Sequence, residues 1–175
     1  MRLRTEKPRE RYVTDGEYAL LLSGNGIMPL FIEFAVLTGL RKGDILTLRM
    51  EDIREDGIHT KIQKTNKAQI ISWTPALKDC VGRIIEFRNV DISPWLFCKQ
   101  NGQCYYVEGK SSGFDTMWKR YRESLDLSDI RIHDLRAKTA SDFENERDAQ
   151  ALLAHENLRM TKAYIRKPKT VRPLK

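Results

Sequence analysis

The amino-acid sequence predicts a mainly α domain carrying a small three-stranded antiparallel β-sheet. Three observations lead there. Apolar residues recur at helical spacing over most of the chain, most plainly at Ala76, Leu77, Cys80, Val81, Ile84, Ile85 and Phe87. Three runs, Leu48 to Ile53, Ile58 to Gln63 and Gln69 to Trp73, have the length of strands, and the last two flank a Lys64-Thr65-Asn66-Lys67 turn. At 175 residues and 20.4 kDa the chain is long enough for one sizeable core and too short for two ordinary domains.

Residues 1 to 12 read as a linker or basic arm. Thr14 followed by Glu17 has the spacing of a capping box and opens a helix through Tyr18 to Leu22, which Ser23 to Gly26 ends. Pro29 suits a first helical turn and introduces the apolar segment Leu30 to Leu37, closed by Gly39, so this helix is expected to be buried. The three strands follow, with a hairpin at 64 to 67 and exposed sheet edges. Pro75 restarts the helical period as far as Phe87, and Asn89 to Lys110 is expected to be irregular. Helices are expected at Thr116 to Leu125 and near 133 to 144, 147 to 154 and 161 to 165. With no repeat or low-complexity tract, the expected organisation is an arm (1–12), one domain (13–166) and a basic tail (167–175).

Hydrophobic residues at 41%, charged residues at 31% and a mean hydropathy of -0.53 suit a folded soluble chain and not a disordered one. No apolar run reaches the length of a membrane span, and Met1 to Tyr12 lacks the apolar stretch of a signal peptide, so a cytoplasmic protein is expected. Cys80, Cys98 and Cys104 are an odd number without close-paired metal spacing and are read as reduced thiols. The formal charge of +7 comes from the two ends: residues 1 to 12 carry five basic and two acidic side chains, and residues 165 to 175 five basic and none acidic. The middle is close to neutral. A polyanionic partner follows only if that middle gathers its cations on one face.

Four motifs stand out in order: Thr38-Gly39-Leu40-Arg41, Gln63-Lys64-Thr65-Asn66-Lys67, His133-Asp134-Leu135-Arg136, and Leu152-Leu153-Ala154-His155 with Tyr164 nine residues on. Each alone has a structural explanation. Gly39 caps a helix and Arg41 is then a solvated arginine; His133 and Arg136, three apart, share a helical face; His155 suits a helix end; Tyr164 is a packed aromatic.

In this order the set resembles the catalytic domain of the tyrosine recombinases, the phage-integrase family of site-specific DNA recombinases, from about Tyr12 to Arg166. The family pattern is an Arg, a hairpin Lys, His-x-x-Arg, a His or Trp, and a Tyr shortly after. Arg41, followed by Gly43-Asp44-Ile45, matches the first arginine and Lys64 the hairpin lysine, with Lys67 its rival. His133 and Arg136 match the pair, and His155 and Tyr164 the last two. Two departures leave every functional group in place. Ala154 stands where the family usually has Gly, and the 19 residues from Arg136 to His155 make a short interval.

The resemblance implies the tyrosine recombinase catalytic-domain fold and an enzyme: an integrase of a phage or other mobile element in a bacterium, cleaving and rejoining DNA through a covalent 3'-phosphotyrosine. Its implied partners are double-stranded DNA at a specific recombination site and other protomers in a synapse, without a membrane, a metal or a nucleotide cofactor. Two other readings use the same residues: a type IB topoisomerase-like nicking and closing enzyme, and a non-catalytic DNA-binding relative, against which the retention of all six groups speaks. Family members usually carry a helical DNA-binding domain before the catalytic one, so the chain reads as a catalytic fragment or a short member.

The residue types fit the implied chemistry. Phosphoryl substitution spreads charge over non-bridging oxygens, which the planar forks of Arg41 and Arg136 suit. His133 and His155 add hydrogen bonds, His133 or Lys64 takes the proton of Tyr164, and Lys64 protonates the departing 5'-hydroxyl.

Overall fold

A computed structural model describes residues 9–63, 67–88 and 93–167. The arm before Arg9, the hairpin tip with Lys64 and the tail after Lys167 lie outside the described residues. Among the described residues, eight α-helices and three strands occur in the order α1 (Asp15–Leu22), α2 (Ile27–Thr38), α3 (Lys42–Leu46), β1 (Ile53–Arg54), β2 (Gly57–Ile62), β3 (Lys67–Ile71), α4 (Pro75–Phe87), α5 (Ser112–Ser124), α6 (Ile132–Asp142), α7 (Glu146–Leu152) and α8 (Leu158–Lys162). The mainly helical fold with one three-stranded antiparallel sheet is the one the sequence predicts.

Local signals set most boundaries. Thr14 and Glu17 form the expected reciprocal cap of α1, with the Thr14 N–H donating to Glu17 at 2.8 Å. In α2, Pro29 falls in the first turn, where its missing N–H costs no helical bond, and Gly39 ends the helix at φ 62°. Thr74 caps α4 and Pro75 is its first residue. The apolar stripe of α4 is narrower than expected: Leu77, Cys80, Val81 and Ile84 are buried, while Ile85 and Phe87 face outward.

Two departures have physical reasons. Leu48 to Ile53, expected as a strand, supplies only two strand residues. Asp52 accepts from the Arg49 N–H at 2.8 Å and folds Met50–Asp52 into a 3-10 turn, while Leu48 and Met50 bond the backbone of Leu96 and Pro94 instead. The helix expected at 161 to 165 starts and ends earlier, because Asn157 accepts from the Met160 N–H and fixes its beginning. Tyr164 therefore lies in the turn beyond α8.

The buried α2 is the core of the domain, packed by α4, α6 and α1. Phe31, Phe34, Phe97 and Phe114 interlock around it, with ring centroids 4.5 to 5.6 Å apart. β2 pairs with β3 in the register Ile58 to Ile71 and Ile62 to Lys67 and lies against α3. This places the end of α2, the hairpin base and the start of α6 on one side of the molecule.

Candidate active site

The C-terminus of α2 and the first turn of α6 build the site together. Gly39 leaves no room for a side chain: a Cβ there would meet Leu153 at 2.9 Å and Thr139 at 3.2 Å. Its left-handed conformation and this close approach both demand glycine. The reward is its carbonyl, which accepts a hydrogen bond from Arg136 Nη1. Arg136 Nη2 donates to Leu153 O at 2.6 Å and to His155 Nε2 at 3.1 Å. The guanidinium is thus pinned between the end of α2 and the turn after α7, on a side chain only 2% exposed.

Because a guanidinium only donates, His155 Nε2 accepts, which leaves its hydrogen on Nδ1 for Thr161 Oγ1, 3.1 Å away. His155 is buried. Tyr164 completes the group: its ring centroid lies 5.0 Å from His133 and 5.0 Å from His155, and Arg136 Cζ is 5.6 Å from the ring. Arg41, at the N-cap of α3, lines a cleft of about 600 Å³ together with His133 and Arg136. The structure therefore brings Arg41, His133, Arg136, His155 and Tyr164 together.

Lys64 lies outside the described residues, but its neighbour Gln63 is fastened to α3. The Gln63 N–H donates to Asp44 at 3.0 Å and its side chain to Thr47 at 2.8 Å. Lys67, on β3, stands 3.9 Å from Glu156 in a pair exposed on both sides.

The electrostatics are those of a cation cluster in which the charge of Arg41 outweighs that of Asp44 at Arg136. Burial and the nearby Arg41 charge pull the Arg136 pKa down to about 10. Burial, then Arg136 and Arg166, hold the His133 pKa below the usual histidine value, so its imidazole is neutral at pH 7. Arg41 Nη1 and Arg136 Nε are buried without a hydrogen-bond partner. Such a site attracts an anion.

The cleft also holds residues that motif reading passed over: Lys42, Lys119, Arg122 and Arg131, against Asp115 as its acidic member. The near-neutral middle of the chain does gather cations on one face. Lys119 and Arg122, three apart on α5, were the sequence signal for it. Among the described residues no three His, Cys, Asp or Glu side chains gather as metal ligands, and no helix is long and apolar enough to cross a membrane. Ala154, where glycine was expected, adopts the left-handed φ of 49° that the turn before His155 requires.

A mainly helical domain with this sheet, and with arginines, histidines and a tyrosine meeting beside α6, has the fold of a tyrosine recombinase catalytic domain. Residues 27–170 match the phage integrase family, and the chain belongs to that family. Its fold is similar to that of a lambda integrase dimer bound to a COC' core site, with a TM-score of 0.76 and 21% identity over 98% of this chain and 53% of that one. XerA recombinase gives 0.76 and 19% identity over 90% and 61%. The Tn1549 transposon integrase, in complex with transposon right end DNA, gives 0.71 and 19% over 95% and 65%. The chain thus spans between about half and two thirds of the length of these structures. No curated protein sequence matches it significantly.

Proposed function

We propose that this chain is the catalytic domain of a site-specific DNA recombinase, an integrase that cleaves and rejoins double-stranded DNA through a covalent 3'-phosphotyrosine at Tyr164. The observation that carries the reading is the Tyr164 ring held between His133 and His155 beside the Arg136 guanidinium. Arg41 and Arg136 receive the scissile phosphate, each with a buried nitrogen that lacks a partner. Since the Arg136 side chain is already fixed by Gly39 and Leu153, little reorganisation accompanies the arrival of charge. A free phenol has a pKa near ~10 and must lose its proton as it attacks. His133, neutral and in contact with the ring, is the group to take it, since both nitrogens of His155 are engaged by Arg136 and Thr161.

The phosphorus–oxygen bond to the 5' side then breaks as the bond to Tyr164 Oη forms, and Lys64 protonates the leaving oxygen. Attack by a second 5'-hydroxyl reverses these steps and reseals the strand. In this reading residues 13–166 are the catalytic domain, residues 1–12 are the linker or arm leading into it, the basic tail (167–175) contacts phosphates, and the protein works on DNA in the cytoplasm of a bacterial host. The similar structures include a lambda integrase dimer on a core site and a tetramer on a Holliday junction, and we assign this protein the same kind of assembly with its own copies.

The test is a covalent adduct. The protein is incubated, in EDTA, with a pool of nicked duplexes of varied sequence, and the attached peptide is mapped. Attachment at Tyr164 through a 3'-phosphate, lost in Tyr164→Phe with DNA binding kept, is the expected result. Attachment at another tyrosine, or cleavage that EDTA stops, overturns the mechanism. Lys64→Ala should slow cleavage of ordinary DNA but not of DNA whose 5'-bridging oxygen is sulfur, a leaving group that needs no proton. The same rescue for Lys67→Ala instead would transfer the role to Lys67.

A further inference from the structure

We propose that Asp134 is a positioning residue: it latches the segment carrying Tyr164 onto α6 of its own chain, and the segment entering the domain closes over that latch through Arg9. The inference rests on the reading of Tyr164 as the nucleophile and adds what holds it in place.

Asp134 lies between His133 and Arg136 and is fully buried. Its carboxylate accepts from three groups. Oδ1 takes Arg166 Nη1 at 2.6 Å and Arg9 Nε at 3.0 Å, and Oδ2 takes the Arg131 N–H at 2.9 Å and Arg9 Nε at 3.0 Å. Arg166 follows Tyr164 by two residues and is itself nearly buried, at 8% side-chain exposure. Ser141, seven residues after Asp134 and so on the same face of α6, supplies a second fastening. Its hydroxyl accepts the Arg166 N–H at 2.8 Å, while its own hydrogen is directed to Ala137 O at 2.7 Å with Tyr164 O a weaker second acceptor at 3.2 Å. The nucleophile's backbone is therefore tied to α6 at points roughly 10 Å apart along the helix. His133 and Arg136, which meet the Tyr164 ring, project from the same helix. Ring and clamp are thus registered by one rigid element, before any phosphate binds.

The entering segment shares this junction. Arg166 Nη1 also donates to Arg11 O at 2.8 Å, and Tyr12 Oη donates to Asp142 at 2.6 Å, so residues 9 to 12 lie across residues 164 to 167. One carboxylate serves two guanidiniums. Burial pushes the Asp134 pKa up, but Arg9, the Arg131 N–H and Arg166 outweigh it and hold the group ionised. Without that charge, Arg9 and Arg166 would repel each other and Arg166 would stay buried without a counterion.

The experiment compares Asp134→Asn, Arg166→Met, Arg166→Lys and Arg9→Met with the unaltered chain by hydrogen exchange and by adduct formation on saturating nicked DNA. Asp134→Asn and Arg166→Met should lose amide protection at Arg166 while α2 keeps its own. Their adduct rate should fall by about 100-fold, the order expected of a nucleophile displaced by ~1 Å. DNA affinity should stay within about threefold, as for a residue that touches no DNA. Arg166→Lys should recover part of the rate, and Arg9→Met should lose less than either, because Arg166 retains the carboxylate. If Asp134→Asn does not fold, Arg166→Met, which leaves the Asp134 to Arg9 pair in place, decides alone. Unchanged protection at Arg166, a wild-type adduct rate in the folded variants, or a loss of rate matched by a loss of DNA affinity overturns the latch. If the unaltered chain forms no adduct, the nucleophile reading fails, and the exchange measurement still decides whether Asp134 fastens the segment.

Discussion

Arg136 and Lys138 stand two residues apart on α6 and are equally buried, each about 2% exposed, yet their surroundings are opposite. Lys138 Nζ contacts Asp15 at 2.6 Å and Asp142 at 2.9 Å and lies 5.2 Å and 5.3 Å from the centres of the Tyr12 and Tyr18 rings. Burial would lower its pKa, but the hydrogen bonds to Asp15 and Asp142 outweigh it and the value is raised. Arg136 has neutral partners only: two carbonyls, an imidazole and a phenol ring. Burial and the repulsive charge of Arg41 outweigh the attraction of Asp44, and its pKa is lowered. A buried cation with its counterions in place serves the fold, whereas one that lacks them is poised for an anion from outside.

The largest test of this contrast is Arg136→Lys, which keeps the charge and removes the fork. Adduct formation should fall by about 100- to 1,000-fold, the range for losing one preorganised donor, while Lys138→Met leaves it unchanged below the unfolding transition. A near-normal rate in Arg136→Lys would reduce the clamp to a matter of charge alone. Next in size is the response to a small anion. Sulfate at constant ionic strength should raise the thermal midpoint, by ~1.4 kcal/mol at about ten times its Kd, or roughly 3–6 °C. Arg41→Gln should remove that rise and Lys138→Met preserve it, although Lys138→Met itself starts from a lower midpoint. Equal sulfate responses in both variants would erase the distinction.

A smaller effect concerns pH. The folded His133 pKa lies below its unfolded value of about 6.5, so the unfolded chain binds the extra proton first and stability declines as pH falls below that value. His133→Gln should flatten the stability curve below about pH 6.5, and an unchanged slope would place the titration elsewhere. The smallest effect is expected from Ala154→Gly. Relief of the left-handed strain, ~1–2 kcal/mol, is offset by the ~0.5–1 kcal/mol of extra chain entropy of glycine. The net gain, between about 0 and 1.5 kcal/mol, should appear as an equal or slightly higher midpoint without a change in adduct rate.

What the sequence revealed divides by the range of the interaction responsible. Thr14 with Glu17, Gly39 and Pro75 act within a turn of themselves, and each was legible. α3 was not foreseen, because Lys42 to Leu46 is a single turn containing Gly43, too short to show a period. The fate of Leu48 to Ile53 depends on a backbone partner at Pro94 to Leu96, more than forty residues away. In the site, the six-residue pattern singled out five side chains that do meet, since residue type and order are preserved in sequence. Asp134, Ser141 and Arg166 were given no role. Arg166 looks like the first charge of a basic tail, and only the fold reveals that it returns to α6.

The junction at Asp134 joins residues that are distant along the chain: Arg9 lies 125 positions before it, and Arg11 and Arg166 are 155 apart. Closing so long a loop carries an entropy cost that local helices do not, so contacts of this kind form late in folding, after the intervening core has consolidated. The clamp has shorter range, since Gly39 to Arg136 spans 97 residues, all inside the larger loop. The fastenings of the tyrosine segment are shorter still, since Asp134 to Arg166 spans 32 residues and Ser141 to Tyr164 spans 23, so loop closure seats the tyrosine against α6 before residues 9 to 12 close over it. The entering segment is thus the last strap over a site whose clamp and nucleophile are already in register.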